Sequence, residues 1–168
     1  MNHKDIVYAF IDSQNLNLGI LSLGWKLNFI RFRQYLTDKY KVSKALLFLG
    51  YLKSNKKLYN FLSKAGYQLI FKEVVKIKGK VKGNVDAELI VWTMKSIYEK
   101  MCNKAIIISG DGDFAVLADF LLEKDKLLRF IVPSYQTMSI LIKKVFLKRK
   151  KMNLLTSLDD ERNKLVIK

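Results

Sequence analysis

Six polar residues stand at chain positions from which they could do chemistry together. Asp12 and Asn15 follow the apolar run Ile6–Ile11, and Ser109, Asp111 and Asp113 follow Ala105–Ile108 within Ser109-Gly-Asp-Gly-Asp-Phe114. Asp86 stands in the first turn of a long amphipathic stretch. Carboxylates crowded together repel and raise one another's pKa unless a cation neutralises them. Hard oxygen donors around open water positions suit Mg²⁺ or Mn²⁺. Such an ion lowers the pKa of a bound water, stabilises charge on a phosphoryl oxygen and aligns an in-line displacement. Asn15 offers an amide and Ser109 a hydroxyl to orient a ligand or a metal-bound water, and Lys82 could hold a phosphate. Each acid also has a plainer reading. Asp12 could bind backbone amides in the turn after a strand, and Asp86, Asp111 and Asp113 could be helix-start residues favoured by capping and the helix dipole. The chemical case is therefore a joint one.

Composition narrows the alternatives. The chain has 168 residues with one Cys, Cys102, which excludes an internal disulfide and a Cys-cluster zinc site, and one His, His3, whose place near the N-terminus argues against a His-based triad or His-liganded zinc. No Gly-x-x-x-x-Gly-Lys-Ser/Thr loop is present, which argues against nucleoside triphosphate hydrolysis. A haloacid-dehalogenase-like site needs Asp-x-Asp after the first strand, where this chain reads Asp12-Ser-Gln. The 31 basic residues outnumber 15 acidic ones for a net charge of +16, so a phosphate polymer is the expected partner. Basic residues cluster at Lys76, Lys78, Lys80 and Lys82 and again at Lys143, Lys144, Lys148, Arg149, Lys150 and Lys151. Lysines dominate, which favours attraction to phosphates over reading of bases. The apolar runs are too short for a signal-peptide core or a membrane helix, so a soluble, cytoplasmic protein is expected.

Those side chains need a scaffold. Apolar runs with β-branched and aromatic residues read as buried strands at 6–11, 45–49, 67–75, 105–108 and 127–132. Periodicity of three and four predicts helices at 29–40, 54–65, from 84 or 85 to 100, at 114–123 and at 136–147, with Ser54 as an N-cap and Gly66 as a stop. A Lys-bearing hairpin or loop is expected up to Gly83. Strands separated by helices imply βαβ units and a parallel sheet covered on both faces. Ligands bind such sheets beyond the carboxyl ends of the strands, where Asp12, Asp111 and Asp113 fall.

In order and spacing, Asp12-x-x-Asn15, Asp86 opening a long helix, and Ser109-Gly-Asp111-Gly-Asp113-Phe114 resemble the NYN domain, a group of the PIN-like nucleases that includes the LabA-like bacterial proteins. The resemblance covers roughly residues 5–133. It implies a PIN-like, Rossmann-like three-layer α/β/α sandwich with a mainly parallel central sheet. Residues 1–135 would form the domain, with 136–168 a C-terminal helix and basic tail packed on it. It further implies a metal-dependent endoribonuclease using Mg²⁺ or Mn²⁺. Asp12, Asp86, Asp111 and Asp113 match the acidic positions, and Asn15 and Ser109 match supporting polar groups. Lys76, Lys78, Lys80, Lys82, Lys148, Arg149 and Lys150 are the expected RNA contacts. Many relatives place another acid in the final helix, where this chain has none. The alternative is an RNA-binding module on a nuclease fold with little turnover. A homodimer or protein partner is left open.

Overall fold

The computed structural model describes residues 5–72, 75–77, 80–82 and 85–167. Its centre is a six-stranded, all-parallel sheet in the order β3-β2-β1-β6-β7-β8, formed by Val7–Asp12 (β1), Val42–Gly50 (β2), Tyr67–Lys72 (β3), Lys104–Ile108 (β6), Leu127–Val132 (β7) and Leu155–Ser157 (β8). Val75–Ile77 (β4) and Lys80–Lys82 (β5) form a separate antiparallel hairpin, with Val75 opposite Lys82 and Lys76 opposite Val81. The helices are Ser13–Ser22 (α1), Phe29–Tyr40 (α2), Lys56–Lys64 (α3), Asp86–Tyr98 (α4), Ala115–Glu123 (α5), Ile140–Lys148 (α6) and the short Arg162–Leu165 (α7).

Strand alternation divides the apolar residues between two cores. From β1, Val7, Ala9 and Ile11 face a layer containing Leu16 and Ile20 of α1, Phe32 and Leu36 of α2, and Leu62 of α3. Tyr8 and Phe10 face the opposite layer, with Leu89 of α4, Leu117 and Leu121 of α5, and Ile142 and Phe146 of α6. The result is the expected α/β/α sandwich. Right-handed crossovers explain the split: the chain winds from β1 through β2 to β3 in one direction, then returns to β6, β7 and β8 in the other. The reversal lies between β1 and β6, which places the crevice there.

Several expected boundaries shift for local reasons. The helix expected from Gln136 starts at Ile140, because the Ser139 hydroxyl caps it by accepting the Leu141 amide at 3.2 Å. Ser54 is not a cap. It lies inside the 3₁₀ turn Lys53–Asn55, and no side chain caps α3. Gly66 does end that helix, at φ +93°. The third strand stops at Lys72 rather than Val75. Neither α1 nor β8 was expected.

Residues beyond 135 join the same body. β8 pairs in parallel with β7, the Trp25 indole donates to Asp159 at 3.0 Å, and Leu27 bridges Val166. Cys102 is buried, and burial pushes its thiol up to about 11, which leaves it an inert apolar side chain. No helix among the described residues is long and apolar enough to cross a membrane.

Gly19 of α1 is held close to the buried ring of Pro133 beyond β7. A Cβ built at Gly19 would lie 2.6 Å from Pro133 Cγ and 2.8 Å from its Cβ. Gly19→Ala gains about 1 kcal/mol in helix propensity but forces a rigid ring aside. A net loss of about 1–2 kcal/mol is expected, measured as a lower urea midpoint at unchanged slope.

Candidate active site

β1 delivers Asp12 to the crevice as its last residue, on the side of the sheet shared by Tyr8 and Phe10. The side chain is 6% exposed and has two tasks. Its Oδ1 accepts the Asn15 amide at 3.1 Å and so caps α1, while its Oδ2 accepts the Ser109 hydroxyl at 3.2 Å. The plainer reading of Asp12 as an acceptor of turn amides is therefore correct, and compatible with a place in the site.

Ser109, wholly buried just beyond β6, passes the connection on: its Oγ also accepts the Asp111 amide at 3.1 Å. Asn15 makes a second tie between β1 and β6, its Oδ1 accepting the Gly110 amide at 2.7 Å. Gly110 is closely packed here, and a Cβ built on it would sit in van der Waals contact, 3.4 Å from both Asn15 Oδ1 and Pro133 Cδ. The two residues expected to support the acids are thus the ones that join the strand ends.

Above this layer Asp86, Asp111 and Asp113 converge. One carboxylate oxygen from each lies within 4.8 Å of the other two. Asp111 caps the 3₁₀ turn Gly112–Phe114, its Oδ1 accepting the Asp113 amide at 3.0 Å. That bond turns both acids toward one point. Asp86 opens α4 without a side-chain cap before it. Three hard, like-charged donors gathered on two elements suit a small divalent cation. Asp12 stands outside this trio, beneath it.

Burial is the main cause that raises the Asp12 carboxyl above its ordinary value of 3.8. The Asn15 and Ser109 hydrogen bonds pull it down, and the charges of Asp86 and Asp111 push it up again. The native state therefore holds this proton more tightly than the unfolded chain does. The stability this contributes is complete below the unfolded value and is lost as pH rises through the native one. In EDTA, wild type should lose stability relative to Asp12→Asn as pH rises from about 4 to about 7. Urea midpoints of the two proteins across that range check it; a gap that stays constant rejects it.

The expected basic contacts separate. Lys76 lies on β4 and Lys80 and Lys82 on β5, while Lys78 lies outside the described residues. Lys148, Arg149 and Lys150 sit at the far end of α6. That helix starts beside the site, where the Ser139 amide reaches the Gly110 carbonyl at 3.0 Å, and runs about 13 Å away from it. Arg149 is engaged there, donating from Nε to Asp119 at 2.6 Å and from a terminal nitrogen to Glu123 at 3.4 Å. Lys148 and Lys150 are exposed.

A groove of about 550 Å³ is lined from α1, the end of β2, the Lys53–Asn55 turn, α3 and Val85, the residue before Asp86. Ser13, Gln14, Asn17 and Asn55 give it polar groups. Sequence reading missed it together with α1. One signal was present: residues 13–25 carry no charge in a chain that is 27% charged.

A family model for the NYN domain matches residues 7–148. A crystal structure of a protein of unknown function from Vibrio parahaemolyticus superposes with a TM-score of 0.77, covering 99% of each chain at 16% identity. That likeness extends the shared fold through β8 and α7. No curated protein sequence matches the chain. The family match spans the acids, the switch between β1 and β6 and all six of the longer helices, and the chain belongs to the NYN domain family of the PIN-like nuclease superfamily.

Proposed function

We propose that this protein is an endoribonuclease that hydrolyses RNA phosphodiester bonds with Mg²⁺ or Mn²⁺ at the crevice between β1 and β6. The observation that carries the reading is the convergence of Asp86, Asp111 and Asp113 within 4.8 Å in a chain of net charge +16. Asp86, Asp111 and Asp113 would hold the ion, with Asp12 beneath them adding negative charge and keeping Ser109 and the start of α1 in place. When bound, the ion supplies an acidified water and charge neutralisation at a phosphoryl oxygen. Asn15 holds Gly110, and so the Asp111 turn, against β1. Lys76, Lys78, Lys80 and Lys82 draw the RNA backbone toward the acids, a salt-sensitive attraction. Lys148 and Lys150 would meet the same polymer at the other edge of the sheet, while Arg149 braces α6 against α5.

Labelled RNA and DNA of one sequence, incubated with Mg²⁺, Mn²⁺ or EDTA, test this reading. Internal cuts in RNA that need the ion are expected. Cleavage that persists in EDTA overturns the metal's role, and equal cutting of DNA overturns the choice of RNA. Salt-sensitive binding without metal-stimulated cleavage of any RNA would instead identify a binding module.

A further inference from the structure

We infer that the uncharged groove beside the acids seats one nucleobase of a single-stranded RNA, next to the phosphate at the acidic cluster. The inference rests on the ribonuclease reading above and adds the part of the substrate that is recognised. Position is the first reason. Ser13 and Val85 both line the groove and are the chain neighbours of Asp12 and Asp86, which puts the groove within reach of a strand whose phosphate meets the acids. Charge is the second. None of the thirteen lining residues is charged, whereas a 27% charged chain would place about three or four charges among thirteen. A phosphate seeks lysine or arginine; a groove without charge suits a neutral ring.

Hydrogen-bonding capacity is the third reason. The side-chain amides of Gln14, Asn17 and Asn55 make no hydrogen bond among the described residues. Each offers two donors and an acceptor, the complement of a base edge splayed from a single strand. Leu18 and Leu58, 55% and 46% exposed, supply apolar surface for the ring faces. Lys53, Lys56 and Lys57 flank Asn55 in the chain and are all exposed, so the phosphates beside a seated base find cations at the rim. Amides inside and lysines outside divide the labour between base and backbone.

The test uses the full chain, ¹⁵N-labelled and in EDTA, with short oligomers of A, C, G or U and an abasic ribose-phosphate oligomer of equal length. The side-chain amide signals of Gln14, Asn17 and Asn55 should move with at least one base-bearing oligomer and stay still with the abasic one. Asn17→Ala should weaken binding of that oligomer by roughly 5- to 100-fold and leave the abasic one unchanged. Asn17→Leu, nearly the same shape but without the amide or any charge, should do the same and guards against a folding defect. Signals that no oligomer moves, or that the abasic oligomer moves equally, overturn the inference. The cleavage assay is separate. Shifts without cleavage would retain the base site and reject the nuclease, and cleavage without shifts would do the reverse.

Discussion

Asp111→Asn should lower kcat/KM for RNA cleavage by about 100-fold or more, while RNA affinity stays the same or rises. Loss of a supporting partner around a bound metal typically costs about 10–100-fold, and a donor in the trio should matter at least as much. The turn itself should survive. Asn keeps an Oδ1 that can accept the Asp113 amide, now at 3.0 Å from Asp111, and the Asp111 backbone still donates to Ser109. What disappears is one negative charge among three whose oxygens lie within 4.8 Å. Removing it also relieves repulsion toward an incoming phosphate chain, hence the equal or tighter binding. A thermal readout separates charge from fold. Mg²⁺ should raise the wild-type midpoint by mass action and leave the variant's nearly unmoved. A variant that cleaves at the wild-type rate would remove Asp111 from the chemistry.

Phe114→Ala should be the most destabilising single change beside the site. Phe114 ends the 3₁₀ turn that holds Asp111 and Asp113, and its ring is wholly buried in the core formed with α4, α5 and α6. Truncating a buried Phe to Ala costs about 3–5 kcal/mol. For a domain of this size that lowers the thermal midpoint by about 6–20 °C. The ring also anchors the turn on which two of the three converging acids ride, so divalent-ion stabilisation should shrink together with the midpoint. Phe114→Leu keeps most of the volume and should recover most of both losses. Thermal scans with and without Mg²⁺ measure the two effects in one experiment. An Ala variant with a wild-type midpoint would show that the turn holds itself.

Much of the fold is legible in the sequence because its strands are uncommonly clear. Ile106-Ile-Ile108 and Phe130-Ile-Val132 are apolar throughout, as strands covered on both faces must be. Helix α2 is legible to both ends because Phe32, Leu36 and Tyr40 keep a strict spacing of four. Helix α1 is not, because Ser, Asn and Gly fill a stretch whose helicity comes from packing Leu16 and Ile20 and from the Asp12 cap, both tertiary facts. Strand β8 has three residues in a Lys-rich tail, too few to show a period. At the site, Asp86, Asp111 and Asp113 can be grouped from their places at strand and helix ends. The position of Asp12 beneath them cannot, because it depends on which way the last residue of β1 points. Nor can the separation of Lys148, Arg149 and Lys150 from the acids, since that follows from where α6 starts.

The two ties between β1 and β6 join residues far apart in the chain: Asp12 with Ser109, and Asn15 with Gly110. Synthesis therefore makes the scaffold before it makes the site. β1, β2 and β3 can pair once residue 72 has been added, and N-terminal parts of a chain fold first as it is made. Asp111 and Asp113 come some forty residues later, and the acids close only when β6 docks on the free edge of β1. A chain still being translated thus carries the half-sheet and its basic hairpin before it carries the complete acidic trio. An interrupted chain ending before β6 would be a lysine-rich fragment that can attract phosphate polymers but lacks Asp111 and Asp113.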